Sequence, residues 1–368
     1  MLLIKAQRDR LLTPLQSVIG IVERRHTLPI LSNVLIETSG DRLDFTATDL
    51  EVQVRTWTSV TESPLQESVT LSARKLHDIL RSLQAGSDIV MEGTESRLTV
   101  KSSRSRFNLQ TLPGRDFPQI ALNPESGAEF VLPQSVLRKL LERVQFAMAV
   151  QDIRFYLNGT LLSVADGQLT VVATDGHRLS FTQHELSDST ARADVIIPRK
   201  SVQELVKLLQ AVDDPVKVTL HGNQVRFEFG SIDLITKVID GKFPDYRRVI
   251  PTTHTKTVTV DRVLLQQALQ RASILSNEKI RGVRLLLTKD SLGVVCTNNE
   301  QEEAQEELEV EYNQEPLDIG FNIAYLLDVL NHVSSEQIEC HFGDSNSSVL
   351  MTVPGQDGFK YVVMPMRI

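Results

Sequence analysis

Leu43 to Asp49 reads LDFTATD, Leu169 to Asp175 reads LTVVATD, and Leu292 to Asn298 reads LGVVCTN. The steps are 126 and 123 residues, so a chain of 368 residues reads as three copies of one domain-sized unit. A chance echo would not carry its neighbours along, and this one does. Asn33 and Asn158 stand 125 apart, Ser72 to Lys75 answers to Ile197 to Lys200 at the same step, and Phe117-Pro118 returns as Phe243-Pro244. In the third copy Phe321 to Ala324 takes the place of the second copy's basic residues, and an apolar run follows in both. The copies are expected at residues 1–123, 128–251 and 254–368. Turn-forming linkers at Asn123 to Gly127 and Pro251 to His254 fall close to those limits.

Within each copy the hydrophobic period switches between helix and strand in one order. Leu137, Leu140, Leu141, Val144 and Met148 keep helical spacing behind Pro133. Their counterparts are Leu11, Leu12, Leu15, Val18 and Ile19 in the first copy and Val263, Leu264, Ala268 and Leu269 in the third. A second helix is marked by Leu76, Ile79, Leu80 and Leu83, then by Val202, Leu205, Val206 and Leu209, then by Leu326, Leu327 and Leu330. Between them apolar residues alternate, as at Val216, Val218 and Leu220, or at Val349, Met351 and Val353. That is the period of antiparallel strands with one buried face. The expected fold class is α+β, with two helices per copy packed on antiparallel sheets.

Composition is that of an ordinary globular chain, 41% hydrophobic and 23% charged, without an apolar run long enough to span a bilayer or a signal-peptide pattern at the start. The two cysteines, Cys296 and Cys340, lie in alternating apolar stretches with no CxxC spacing, which points to buried structural thiols and a cytoplasmic compartment. No GxxxxGK[ST], GxGxxG, HExxH or GxSxG motif is present, and nothing calls for a cofactor or a metal. One group tempts a catalytic reading: in Thr174-Asp175-Gly176-His177-Arg178 a carboxylate and an imidazole sit two apart, as a hydrolase or transferase would use them. The repeat argues for a structural Asp-Gly turn instead, since the matching residues are Asp49-Leu50-Glu51 and Asn298, without histidine. His177 and Arg178 then need another explanation.

A formal net charge of −8 would by itself disfavour a polyanionic partner, but its distribution does not. The expected helices carry +2 each over 8–25, 72–84, 133–149 and 198–212, +1 over 261–275 and −1 over 320–333, which leaves −16 for the rest. Basic helices on an acidic body suit a surface that meets phosphates while the outside repels them. There is no helix-turn-helix, zinc-finger or aromatic platform for reading bases, so such a partner would be held through its backbone in any sequence.

The strings RFYLNG (Arg154 to Gly159), ATDGHRL (Ala173 to Leu179), FPDYRRV (Phe243 to Val249), LSNEKIRGVRL (Leu275 to Leu285) and YVVMPMRI (Tyr361 to Ile368) together resemble the bacterial β sliding clamp family, the processivity subunits of replicative DNA polymerases. The resemblance runs in order along the whole chain and includes LPIL near residue 30 and TLPGRDFP near residue 115. It implies three similar domains per chain, two chains joined head to tail in a closed ring, helices lining a hole for duplex DNA, and no catalytic residues. A head-to-tail contact needs two complementary surfaces. Arg104, Arg106, Phe107 and Leu109 offer one; Ile274 and Leu275 with the acidic run Glu300, Glu302, Glu303, Glu306 and Glu307 offer the other, although that run also reads as a solvated face.

By the same resemblance the DNA contacts are Arg25, Arg74, Gln151, Phe155 and Tyr156, and helix position adds Arg81 and Lys200. Position 155 is Phe where the family often has a second Tyr. A pocket for the short apolar-aromatic peptide of the replicative polymerase, the clamp loader, other polymerases and repair proteins is expected from two groups of segments. The second copy contributes Leu157, Thr174, Gly176, His177, Arg178 and Leu179, followed by Pro244, Arg248 and Val249. The third contributes Ser348, Met364, Pro365, Met366 and Arg367, with the methionines as adaptable anchors and Arg178 and Arg248 as a rim. Met364 and Met366 also fit a C-terminal strand packed as core. A housekeeping clamp and a paralogue serving repair or drug resistance share this pattern.

Overall fold

Each repeated heptapeptide is a strand together with the turn that ends it. In the computed structural model, which describes residues 2–23, 28–60, 66–94, 96–122, 127–186 and 191–368, the strands are Arg42–Thr48, Gln168–Thr174 and Ser291–Thr297. The residue after each strand caps the turn. Asp49 Oδ1 accepts the N–H groups of Glu51 and Val52 at 2.9 and 2.8 Å, and Asp175 Oδ1 those of His177 and Arg178 at 2.9 and 3.1 Å. Asn298 Oδ1 likewise accepts from Glu300 and Glu302, both at 3.0 Å. Side-chain oxygens of Asp and Asn hold turns in this way because they imitate a backbone carbonyl at the right reach.

Among the described residues six α-helices, two per copy, sit beside these strands: α1 Arg8–Val18, α2 Ala73–Ser82, α3 Gln134–Glu142, α4 Arg199–Leu208, α5 Arg262–Ala272 and α6 Ile323–His332. They are shorter than the apolar spacing predicts. α1 stops at Val18, one residue short of Ile19, and Val144 and Met148 are buried although the chain has left α3 before reaching them, because buried turns prolong an apolar pattern as well as a helix does. In α5 the expected face is also displaced: Val263 and Leu264 are exposed, and Leu265, Ala268, Leu269 and Ala272 form the core. Asp261 starts that helix by accepting the Leu264 N–H at 2.9 Å, which turns its first residues outward. Over the observed helices the charge is +1 in α1 and α3, +2 in α2, α4 and α5, and −1 in α6, so the basic balance survives the shorter limits at +7.

In the first and third copies an arginine at the start of the first helix closes the end of the second. Arg8 donates to the carbonyls of Leu80 and Arg81 at 2.8 and 3.2 Å, and Arg262 to those of Ser335 and Leu330 at 2.8 and 3.1 Å. At Arg81 and Leu330 a cation thereby reaches carbonyls of the last helical turn, at Leu80 it joins the Leu83 N–H on one carbonyl, and at Ser335 it holds the chain just past the helix.

The described chain gathers into two compact units, Met1–Arg138 with Gln203–Val238 and Lys139–Val202 with Ile239–Ile368, so α3 and α4 carry residues of both. All strand pairs are antiparallel, and each copy builds two four-stranded sheets. In the first unit three such sheets run together into twelve strands, the first copy joining the second where Val52–Ser59 pairs with Ile232–Lys237. In the second unit two run together into eight, where Arg178–Glu185 pairs with Gln356–Val363, and the last stands alone with Glu303–Glu309 at its edge. Val52–Ser59 and Arg178–Glu185 are the same strand one repeat apart, and Glu303–Glu309 is its third instance. The core beneath the third copy contains both cysteines, free and buried, and burial pushes the Cys296 thiol up to about 11 and that of Cys340 to about 12.

Candidate functional site

A cleft of about 190 Å³ opens in the second unit where strand ends and loops from two copies meet. Its floor comes from the second copy: Leu157 from the 3-10 turn Phe155–Leu157, Thr174 at the end of its strand, and Leu179 at the start of the next. Pro244, Tyr246 and Val249 close one side, and Val362 and Met364 of the third copy the other. Leu157, Leu179 and Val362 are buried, whereas Met364 is 39% exposed and offers a flexible apolar lip. Apolar walls with a few fixed polar groups are the usual make-up of a site that captures a short segment.

Two arginines line the cleft. Arg154 is gripped bidentately by Asp152 at 3.0 and 2.8 Å and reaches the Asp175 carbonyl at 3.2 Å; its guanidinium holds the Asp152 carboxyl down at about 2. Arg178 is only 10% exposed and is fixed on every side. It donates to Asp175 Oδ2 at 3.1 Å, to Asp328 of α6, and to the Phe146 carbonyl at 2.7 Å, with the Tyr325 ring 4.4 Å from its guanidinium carbon. Burial opposes its charge, but Tyr361 and Asp328 outweigh burial and keep its pKa above the ordinary value. Arg178 thus lines the cleft as a braced cation, whereas Arg248, its side chain 87% exposed and 3.0 Å from Asp245, stands next to the lining residue Val249 and is not itself in the lining.

The cleft gathers Leu157, Thr174, Gly176, Arg178, Leu179, Pro244, Val249 and Met364 from the expected set. His177 and Ser348 are not in the lining: the His177 carbonyl accepts the N–H of the lining residue Met364 at 2.9 Å, whereas the Ser348 carbonyl accepts from His254 Nε2 at 2.7 Å, apart from the cleft lining. Pro365, Met366 and Arg367 continue past the cleft as a tail, neither lining it nor forming a core strand, since the last strand ends at Val363. Arg154, Tyr156, Tyr246 and Val362 are additional lining residues. Each belongs to a string quoted above, but Tyr361, Val362 and Val363 are buried in succession, so no alternation along the strand Gln356–Val363 singles out Val362. Asp175 spends its carboxylate on the turn and on Arg178, so no acid-base pair with the His177 imidazole forms. Among the described residues no group of three or more His, Cys, Asp or Glu could hold a metal ion, and no helix is long and apolar enough to cross a membrane.

The residues expected on DNA fall in both units. Arg25 lies outside the described residues. Arg74 and Arg81 are exposed on α2, where Arg74 donates to the Val22 carbonyl at 2.9 Å, and Lys200 is half-buried on α4. Gln151 is exposed with φ 54°, Phe155 is 58% exposed, and Tyr156 stands edge-on to it at 6.2 Å while lining the cleft. Of the expected interface, Arg104 and Arg106 are exposed at the strand Ser105–Pro113, with Phe107 and Leu109 half-buried. Ile274 is 78% exposed and Leu275 half-buried. Glu300, Glu302 and Glu303 are exposed, but Glu306 is paired with Arg271 at 2.8 and 2.5 Å.

Three family models match in sequence order: the DNA polymerase III beta subunit N-terminal domain over residues 2–121, its central domain over 131–245, and its C-terminal domain over 247–367. The beta sliding clamp of Pseudomonas aeruginosa is 47% identical over 363 residues, covering 98% of this chain and 99% of that one. That of Escherichia coli strain K12 is 42% identical over 362 residues with the same coverage. Among solved structures, the P. aeruginosa sliding clamp bound to griselimycin superposes with a TM-score of 0.96 at 46% identity, and the Caulobacter crescentus pol III beta with 0.93 at 37%, each over 100% of both chains.

Proposed function

Because the chain belongs to the DNA polymerase III beta subunit family, the beta sliding clamps, we propose that it encircles duplex DNA as a head-to-tail dimer and tethers the replicative polymerase to its template. The observation that carries this reading is the pair of strand edges left over by the repeat. Inside the chain, Val52–Ser59 and its second-copy equivalent each pair with the last strand of the next copy's first sheet. The third instance, Glu303–Glu309, pairs on one side only among the described residues. The first copy's matching last strand, Ser105–Pro113, pairs through 105–110 with Arg97–Ser102 and reaches a second strand only at 111–113. One joint is thus made twice within the chain, and its two halves are left over in the first and third copies. A second chain supplies the missing partner for each, with Arg104 and Arg106 facing the glutamates.

Topological capture also fits the modest positive charge of the helices. A ring that cannot fall off needs only transient phosphate contacts, and tight ones would oppose sliding. The apolar cleft then takes a short apolar-aromatic peptide from the polymerase, the clamp loader, or other polymerases and repair proteins. The protein acts without catalysis of its own. No nucleotide-binding loop is present in the sequence, so ring loading draws on an outside energy source.

The test is retention on DNA of two topologies. Loaded by a cognate clamp loader with ATP onto a nicked circular duplex, the protein is expected to co-elute with the DNA in gel filtration and to be lost once a single restriction cut makes the duplex linear. Equal retention on both forms, or none on the circle, overturns the reading.

A further inference from the structure

Two glycines face the C-terminal tail, and neither is there for its backbone freedom. Gly282 opens the strand Gly282–Thr288 and Gly320 lies in the strand Leu317–Asn322; neither has the positive φ that marks several other glycines of the chain. Space explains them. A Cβ on Gly320 would lie 2.6 Å from the Met366 carbonyl oxygen and 2.8 Å from Ile368 Cδ1, and one on Gly282 would lie 2.8 Å from Ile368 Cδ1. Glycine inside a strand weakens it, and a common reason to keep one is close approach by another backbone. Here that backbone is the tail: the Met366 N–H donates to the Gly320 carbonyl at 2.8 Å, and the two residues form an isolated antiparallel bridge.

The tail is pinned at a second point, where the Met364 N–H meets the His177 carbonyl. Pro365, which has no N–H to satisfy, separates the two donors. Met364 is the lip of the cleft, so whatever fixes the tail fixes one wall of the site. We infer that Gly282 and Gly320 form a seat for residues 364–368 and act as positioning residues for the peptide cleft, although neither lines it. This rests on the cleft being the peptide site. An undocked tail leaves Met364 free to wander, and apparent affinity then falls with the fraction of molecules whose tail is seated.

The two glycines predict different genetics. In Gly282→Ala the three atoms nearest the new methyl all belong to the side chain of Ile368, which can swing aside, so the effect is small and Ile368→Ala should cancel it. In Gly320→Ala the methyl also meets a carbonyl of the tail's own backbone, and Ile368→Ala leaves that clash in place. The experiment uses the full-length protein, hydrogen-exchange mass spectrometry of the C-terminal segment, and anisotropy of a short fluorescein-labelled peptide ending in Leu-Phe. Gly320→Ala is expected to speed exchange in the tail and weaken the peptide roughly tenfold, as for a tail seated about a tenth of the time. The Gly320→Ala/Ile368→Ala double variant should stay weak, while Gly282→Ala/Ile368→Ala should return to the affinity of Ile368→Ala alone. A merely misfolded variant would not be rescued by shortening its neighbour. Faster tail exchange with unchanged affinity in Gly320→Ala, or rescue of both glycine variants alike, overturns the inference and leaves the peptide site standing. Failure of the unaltered protein to bind the peptide would instead remove the reading on which the inference depends.

Discussion

Arg178 shows how much one side chain can say in sequence and how much it withholds. Its departure from the repeat marked it as special, and its place beside the cleft agrees with that. Its orientation could not be read, because the groups that turn it inward, Asp328 and Tyr325 on α6, lie about 150 positions away along the chain. A buried guanidinium with carboxylate, carbonyl and ring partners is costly to delete because those partners are left behind unpaired. Arg178→Ala should therefore destabilise the protein by about 3 kcal/mol in urea unfolding. Arg178→Lys should recover little of this, since an ammonium cannot reproduce the planar fork. A midpoint within error of the parent for either variant would mean that the brace is not holding the cleft together.

At the scale of elements, the repeated turn separates what chemistry imposes from what each copy adds. Three capping residues do one job, yet the residue after the cap differs: Leu50 has φ 77° in the first copy and Gly176 has φ 92° in the second. Left-handed backbone costs a branched or long side chain about 1 kcal/mol relative to glycine. Leu50→Gly is thus expected to be neutral or to stabilise slightly, unless the half-buried leucine side chain repays the strain by packing. Gly176→Ala should do the reverse, adding backbone strain and a methyl 3.1 Å from the Arg154 Nη1 that lines the cleft. Thermal melts of the two variants, measured side by side, should move in opposite directions or the first not at all. Strand and helix identity was legible here because one face of each element is buried at a fixed period. Helix ends were not, since Val144 and Met148 stay buried after α3 has stopped, and a hydrophobic pattern records burial and not hydrogen bonding. For the tail, the core alternative for Met364 and Met366 fails at Met366 because its backbone bridges Gly320, and a glycine carries no hydrophobic signature, while Met364 lines the cleft.

At the scale of the molecule, the triple repeat made the copies countable, but it could not show that sheets from successive copies fuse or which edges are left over. Those edges are a property of register. Charge reversal of Arg104 and Arg106 together is expected to shift the protein toward monomer in sedimentation velocity, with the defect smaller in high salt, where like-charge repulsion is screened. Reversing Glu303 as well should restore part of the dimer, and a sedimentation profile indifferent to both changes would remove the joint. The strand Glu303–Glu309 carries a consequence of its own. Its exposed glutamates make it a poor match for a second copy of itself, so two chains cannot seal edge to like edge, and each chain behaves as a monomer with two unlike, mutually reactive ends. Such monomers can grow into open strings or close on themselves, and closure wins when the second bond forms within a pair that the first already holds at high effective concentration. In the ring proposed above, breaking one seam would leave the other as a hinge, so that opening, threading and resealing would not require its two halves to part company.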